Sequence, residues 1–166
     1  IDLHGMEEKA AMIRSSLSNL HFHTSDIRHP LDWKEQLVSY GISPANPTLI
    51  VLEGVSTSIN ADQLLSIFRS ARSMNAIICG DVLLSYKSVF DAEQESSKRI
   101  REVVKEFSGA EQLHLYSKKD FIELLEVAGY SDIRFTSVHE AREDESFSGP
   151  RFRQEGFDWI ELWSVR

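Results

Sequence analysis

Apolar and polar positions follow one another along the chain in the manner of an α/β protein. Residues 48–52 form a mainly apolar run with β-branched residues at its centre, after Pro47 and before Glu53 and Gly54. A short run bounded in this way is typical of a strand buried in a parallel sheet. Residues 76–84 form a second apolar run, so we predict buried strands at both places.

Two later segments, residues 132–138 and 157–165, alternate in the way that half-buried strands do. In the second of them, Glu161 and Trp163 fall on one face and Leu162 falls on the other. The two segments lie close in sequence with no helix predicted between them. A parallel crossover needs more structure between its strands, so we predict that these two strands pair antiparallel at one edge of the sheet.

Segments with helical periodicity separate the strands. They cover residues 6–17, 31–40, 61–74 and 118–128, and a strongly charged helix is predicted over 92–107. Two of the helices begin at residues with capping-box spacing, and two end at glycines. These residues are Asn60 with Gln63, Ser117 with Asp120, Gly41 and Gly129.

Strands that alternate with helices predict a mainly parallel sheet with helices on both faces. At 166 residues, the chain is expected to form a single domain with a substantial core. Residues 85–116 interrupt the alternation and are interpreted as an insertion or a substrate-side segment. Residues 139–156 are charged and contain Gly and Pro, which predicts a loop.

Composition narrows the classes of partner. The net charge is −8 and no basic stripe follows any predicted face, which argues against nucleic acid. No apolar run is long enough to span a membrane, and no signal peptide is visible. Cys79 is the one cysteine, which favours a reducing compartment such as the cytoplasm. We expect it to be a small buried apolar residue rather than a nucleophile.

Candidate chemistry is concentrated at the end of the first predicted strand. Ligands of open α/β sheets bind at the carboxyl ends of the strands, so Glu53 is a candidate binding residue; the alternative is that it only caps a loop. Asp81 is interpreted as structural. His21 and His23 share one face of a short predicted strand, but no third ligand accompanies them, so no metal site is predicted.

The pattern resembles that of class I S-adenosylmethionine-dependent methyltransferases, whose α/β sheet also finishes with an antiparallel edge pair. Two segments are similar to the leucine carboxyl methyltransferase family: Ser25 to Arg28, followed by Leu31-Asp32-Trp33, and Pro47-Thr48 to Glu53-Gly54. The resemblance implies a Rossmann-like fold and S-adenosyl-L-methionine as the cofactor. It implies cofactor contacts from the residues Asp2 and Leu3 (ribose), Ser25, Asp26 and Ile27 (adenine), and Glu53 (the sulfonium end).

The resemblance also implies that the methyl acceptor is a carboxylate or hydroxyl of a small molecule or of a protein C-terminus. A carboxylate is already nucleophilic at neutral pH, so alignment suffices and no catalytic base is assigned. The candidate acceptor-binding residues are Tyr86, Arg151 and Arg153, because guanidinium binds carboxylate bidentately.

Two departures from the family pattern shape the alternatives. Thr57-Ser58-Ile59 stands where the family has a Tyr-Leu pair, and no glycine-rich turn follows any predicted strand. We therefore expect a fragment of a longer enzyme, one piece of a split enzyme that needs a partner chain, or a rearranged protein without a cofactor site. The last would be a non-catalytic binding or scaffold protein. A nicotinamide-dependent oxidoreductase is a more distant alternative, because it too needs the glycine fingerprint.

Overall fold

A computed structural model of the protein describes residues 25–85, 94–108, 113–137, 140 and 160–166. Within these ranges the helices are α1 (Pro30–Ser39), α2 (Ala61–Ser73), α3 (Gln94–Ser108) and α4 (Lys118–Val127). The strands are β1 (Leu49–Leu52), β2 (Ile77–Leu83), β3 (Ile133–Ser137) and β4 (Ile160–Val165). The helix predicted over 6–17 and the histidine-bearing strand before residue 24 lie outside the described residues.

The predicted helix ends are confirmed. The Asn60 side chain accepts a hydrogen bond from the Gln63 backbone N–H, and the Gln63 side chain accepts one from the Asn60 N–H, which completes a capping box at the start of α2. The Ser117 hydroxyl caps α4. Gly41 and Gly129 follow α1 and α4 with φ of 85° and 96°, a left-handed conformation that glycine adopts without strain.

The four strands form one mixed sheet in the order β1-β2-β4-β3. β1 and β2 are parallel and are connected through α2, while β4 is antiparallel to both of its neighbours. The predicted antiparallel pairing of the last two strands is therefore confirmed, with β3 at the edge. β4 lies between β2 and β3. The chain therefore forms β3 one position away from β2, and β4 later occupies the position between them.

One face of the sheet carries the hydrophobic core, and we call it the covered face. Helices α2 and α4 contribute Phe68 and Phe121, and β4 contributes Trp163. The three rings meet with centroids 5.3–5.8 Å apart, in edge-to-face or tilted contacts that aromatic pairs prefer. Trp33 of α1 is also buried. Glu161, on the same face, binds Lys118 at 2.8 Å.

The opposite face, which we call the open face, is formed by Leu49, Val51, Ile77, Cys79 and Leu162, with Asp81 at its end. These positions share a face because Val51 pairs with Cys79, Cys79 with Ser164, and Asp81 with Leu162. Leu49 and Val51 are 61% and 60% exposed. The prediction of fully buried strands is therefore wrong for this face, and Cys79 is half-buried rather than buried. Apolar composition does not tell whether another element covers a strand.

Helix α3 has the solvated face that its charge predicts, with Glu95, Lys98 and Glu102 exposed. Its buried positions include Ser97 and Arg101, and the Arg101 guanidinium donates to the carbonyl of Leu84 just after β2. Among the described helices, none is long and apolar enough to cross a membrane.

Candidate functional site at the carboxyl ends of β1 and β2

Two carboxylates meet where β1 ends. The parallel register pairs Leu52 with Gly80, so Glu53 and Asp81 follow at neighbouring positions. Oδ1 of Asp81 accepts a hydrogen bond of 2.7 Å from the backbone N–H of Gly54. Gly54 has a φ of 66°, so the chain turns sharply after Glu53. The turn that carries Glu53 is thus attached to β2, in keeping with the structural role predicted for Asp81.

The surroundings of Asp81 disfavour its charged form. Burial raises the pKa of its carboxyl group, the Gly54 N–H opposes that shift, and the negative charge of Glu53 adds to it. The two neighbouring carboxyl groups favour a negative potential at this end of the sheet. The site is suited to a ligand group that carries positive charge.

Glu53 and Val51 each line two cavities. The smaller, of 340 Å³, is lined by apolar side chains that include Ile27, which precedes α1, and Trp33 and Leu37 of α1. The larger, of 740 Å³, is a groove along the open face that also reaches Asp81, Arg134 and Thr136. Both cavities therefore border the Glu53 side of β1.

Gly80 is a point of close approach between β2 and its neighbours. A Cβ at this position would overlap the backbone carbonyl oxygen of Leu52 and lie 3.1 Å from Cζ2 of Trp163. The absent side chain therefore lets β2 approach β1 beside Glu53 and Asp81. Glycine here serves the packing of the sheet, because its φ is not positive.

The structure brings Ile27 and Glu53, two of the predicted cofactor residues, to the same cavity. The carbonyl of Ile27 accepts a hydrogen bond of 3.2 Å from Nε1 of Trp33, so helix α1 holds this segment in place. Ser25 is half-buried just before it. These residues are more than 20 positions from β1 in sequence, and their convergence is a tertiary feature.

Asp26 forms a local ion pair that the sequence interpretation missed. Its Oδ2 accepts from Nη2 of Arg28 at 2.6 Å, and Oδ1 accepts from both the Arg28 backbone N–H and Nε at 2.9 Å. This bonding holds the pKa of Asp26 down at about 2. Arg28 thus occupies much of the acceptor capacity that the predicted adenine contact would use. The Asp-x-Arg spacing of Asp26 and Arg28 was the sequence feature that could have indicated this ion pair.

The other predicted site residues are Asp2, Leu3, Tyr86, Arg151 and Arg153, and all five lie outside the described residues. Arg134 and Thr136 were not predicted, although the alternation of residues 132–138 places both on one face. Among the residues that the structure describes, no group of three metal-ligand side chains comes together.

Comparison with known proteins finds similar structures but no matching family model or curated sequence. No protein-family model matches the sequence, and no curated protein matches it significantly. A protein of Thermobifida fusca assigned as a methyltransferase superposes with a TM-score of 0.67 at 15% identity, over 97% of this chain and 58% of that one. The methyltransferase CalO6 superposes with a TM-score of 0.59 at 14% identity, over 99% and 47%. The chain has the fold of class I methyltransferases.

Human N-acetylserotonin methyltransferase, solved in complex with S-adenosylmethionine, also superposes, with a TM-score of 0.53 at 12% identity, over 99% of this chain and 39% of that one. The predicted fold class is therefore confirmed. The chain spans roughly half of the length of these proteins, between 39% and 58%. Identities at this level concern the fold and leave the leucine carboxyl resemblance untested.

Proposed function

We propose that the chain is part of an S-adenosylmethionine-dependent O-methyltransferase that methylates a carboxylate or hydroxyl acceptor. The observation that carries the proposal is the meeting of Ile27 and Glu53 in one cavity at the carboxyl end of β1. The resemblance assigned both residues to the cofactor from two separate segments. The likeness to solved methyltransferases supports the same conclusion.

The residues of the smaller cavity fit the cofactor's chemistry. Ile27, Trp33 and Leu37 offer an apolar slot that shields a flat heteroaromatic base from water. The Glu53 carboxylate, which also lines this cavity, complements the positive charge of a sulfonium or ammonium group. When bound, S-adenosylmethionine supplies an electrophilic methyl group. The protein residues hold the donor and acceptor in line and exclude water.

The methyl acceptor is proposed by its chemical class rather than as a particular molecule. The larger groove is lined by Glu53 but not by Ile27, and Arg134 is a cationic side chain along it. The resemblance of segments 25–28 and 47–54 to leucine carboxyl methyltransferases favours a carboxylate acceptor, either a small molecule or a protein C-terminus. Tyr86, Arg151 and Arg153 remain the proposed acceptor-binding residues, and residues 85–116 the proposed substrate-side segment.

Calorimetric titration of the chain with S-adenosylhomocysteine tests the cofactor site. We expect Asp26→Ala to weaken binding about tenfold or more, the effect of losing a hydrogen bond from a charged group. Ile27→Asp should weaken binding further, since it places a charge in the apolar slot. Asp132→Ala is the matched control, because Asp132 forms an exposed ion pair with Arg134 at the same Asp-x-Arg spacing; it should bind like the unchanged chain.

Equal binding by Ile27→Asp and the unchanged chain would place the ligand elsewhere and contradict the proposed site. A folded chain that binds no S-adenosylhomocysteine would favour the second candidate, a non-catalytic binding or scaffold protein with a methyltransferase fold. The ion pair that Asp26 already forms with Arg28 is the observation that favours this candidate, because it engages the carboxylate assigned to adenine.

A further inference from the structure

A small polar cavity lies at the end of the sheet opposite to Glu53. It has a volume of 220 Å³ and is formed where β1 and β2 begin, next to the end of α2. Its polar lining residues are Asn46, Thr48, Arg72, Asn75 and Arg166. Thr48 and Glu53 enclose β1 and are separated by about 16 Å at the rise of an extended strand. The cavity is therefore distinct from the candidate cofactor site.

The charged side chains at this cavity have one sign. Arg72 and Arg166 line it, whereas no Asp or Glu side chain does so among the residues that the structure describes. Within the same part of the chain, neither guanidinium forms an ion pair with a carboxylate. The whole chain has a net charge of −8, so this concentration of positive charge is local. Guanidinium groups in this setting are suited to an anionic ligand.

The Arg72 side chain is held in place by an aromatic ring. Its Cζ lies 5.5 Å from the centroid of the Tyr130 ring, which is a cation–π contact. Tyr130 is buried, and its hydroxyl donates a hydrogen bond of 3.4 Å to the carbonyl of Phe68. Because the ring is fixed by the core, Arg72 loses less conformational freedom when it binds a ligand.

The end of α2 is compatible with an anion nearby. The carbonyl groups at a helix C-terminus carry partial negative charge. Here the Asn75 N–H donates to the carbonyl of Arg72 at 2.9 Å, and the Ala76 N–H donates to that of Ala71 at 3.1 Å, which offsets this charge. Asn75 has a φ of 54°, a left-handed conformation that Asn tolerates, and its residue also lines the cavity.

We propose that this cavity binds a phosphate group, either free phosphate or the phosphate of a small monoester. The guanidinium groups of Arg72 and Arg166 match the two negative charges of the dianion and donate to its terminal oxygens. The carboxamides of Asn46 and Asn75 supply further donors. A carboxylate has one charge and two oxygens, so it uses fewer of these groups.

The size of the cavity limits the ligand. A water molecule occupies about 30 Å³ of the liquid. A cavity of 220 Å³ therefore admits a phosphate group with a few further atoms. The proposal rests on residues at the beginning of the strands, and it is independent of cofactor binding at Glu53.

NMR titration of the isotope-labelled chain with inorganic phosphate, at constant ionic strength, tests the site. We expect the backbone amide signals of Asn75 and Ala76 to shift and saturate, while that of Gly54 at the other end of the sheet stays unchanged. Acetate should bind at least tenfold more weakly than phosphate, and equal affinity for acetate would overturn the assignment to phosphate.

Glycerol phosphate, titrated in the same way, distinguishes the two sources of the phosphate group. Tighter binding than that of inorganic phosphate supports a monoester as the ligand. Equal or weaker binding supports free phosphate.

Arg72→Gln and Arg69→Gln form a matched pair, because both arginines are exposed on α2 and only Arg72 lines the cavity. We expect Arg72→Gln to weaken phosphate binding at least tenfold, the effect of losing a charge-assisted hydrogen bond. Arg69→Gln should change it less than twofold. Arg166→Gln should also weaken binding at least tenfold. It is the safer variant for the fold, since the Arg166 side chain forms no hydrogen bond or ion pair with a described residue.

Three results would overturn the proposal. Equal losses with Arg69→Gln and Arg72→Gln would mean that phosphate responds only to the overall charge of the surface. Full affinity in Arg166→Gln would remove the second cation from the site. The third is an Asn75 signal that does not shift at millimolar phosphate. No cofactor enters these measurements, so their failure is distinguishable from failure of the proposed function.

Discussion

The two faces of the sheet are built from similar residues and have opposite environments. On the covered face, Ile78, Val82 and Trp163 are buried under α2 and α4. On the open face, Ile77 and Leu162 stand one position away from Ile78 and Trp163 along the same strands, yet they are 40% and 42% exposed, and Val51 of β1 is 60% exposed. The apolar composition of a strand is therefore the same kind on both of its faces. Whether a side chain is buried depends on whether a helix packs on that face.

The two faces are also expected to differ in role: the covered face in the stability of the fold, and the open face in binding. The covered face contains the aromatic cluster that anchors the helices to the sheet, so changes there should alter the free energy of unfolding. The open face contributes little to the folding of the chain alone, and its apolar side chains are available for binding. Glu53 and Asp81 lie at its end, beside the proposed ligand site.

The largest effect is expected in the aromatic cluster. Phe121 is fully buried and its ring contacts those of Phe68, Tyr116 and Trp163. Phe121→Ala should lower the free energy of unfolding by about 3–5 kcal/mol, measured by urea denaturation. Val127→Ala on the same helix is the control and should change it by less than about 0.5 kcal/mol. A loss of under about 1 kcal/mol for Phe121→Ala would show that the cluster does not anchor α4.

A nearly isosteric change compares the two faces directly. Val82→Thr places a hydroxyl in a fully buried position of β2 and should cost about 1–3 kcal/mol of the free energy of unfolding. Val51→Thr makes the same change on the open face and should cost less than about 0.5 kcal/mol in the chain alone. Equal costs in urea denaturation would mean that the open face is buried in solution.

Asp81 offers a pH-dependent test at the boundary of the open face. Its pKa is raised in the folded chain, so its contribution to stability is complete below the ordinary value near 3.8 and is lost as pH rises through the folded pKa. Asp81→Asn keeps an oxygen acceptor for the Gly54 N–H and removes this loss. Its stability relative to the unchanged chain should therefore increase between pH 4 and pH 8.

Asp81→Ala separates the hydrogen bond from the charge. It removes the acceptor of the Gly54 N–H, which should lower the free energy of unfolding by about 1 kcal/mol relative to Asp81→Asn. If Asp81→Asn and Asp81→Ala unfold alike at every pH, then the bond between Asp81 and Gly54 does not stabilise the turn after β1.

The smallest effect is expected at Asp26. Arg28→Ala removes the side-chain hydrogen bonds that hold the Asp26 pKa at about 2, so NMR titration should show this pKa rising toward 3.8. The ion pair contributes to stability above the ordinary Asp pKa and loses that contribution as pH falls toward 2. Since the pair is largely exposed, the change in stability should be slight. An unchanged Asp26 pKa would contradict the ion pair.

Much of the local structure was predictable from the sequence. Asn60 and Ser117 set the starts of α2 and α4, and Gly41 and Gly129 follow the ends of α1 and α4, because caps depend on residues only a few positions away. Strand positions followed from apolar runs and alternation. The antiparallel pairing of β3 and β4 followed from the absence of a predicted helix between the two segments.

The candidate site was predictable only in part. Glu53 could be recognised because it ends an apolar run before a glycine, and Ile27 through its resemblance to a known segment. The pairing of Asp26 with Arg28 was missed, since an Asp-x-Arg spacing is common and implies no contact by itself. Arg134 lines the groove because β3 pairs with β4, and the sequence alone did not place this pair beside β2.

The sequence by itself determined which segments become helices and strands, because propensity, periodicity and capping act over a few neighbouring residues. Only the tertiary structure decided that β4 lies between β2 and β3, that one face is covered and the other open, and that Asp81 binds the N–H of Gly54 27 residues away. These features depend on which distant segments pack together, and burial is a property of that packing rather than of any one stretch of sequence.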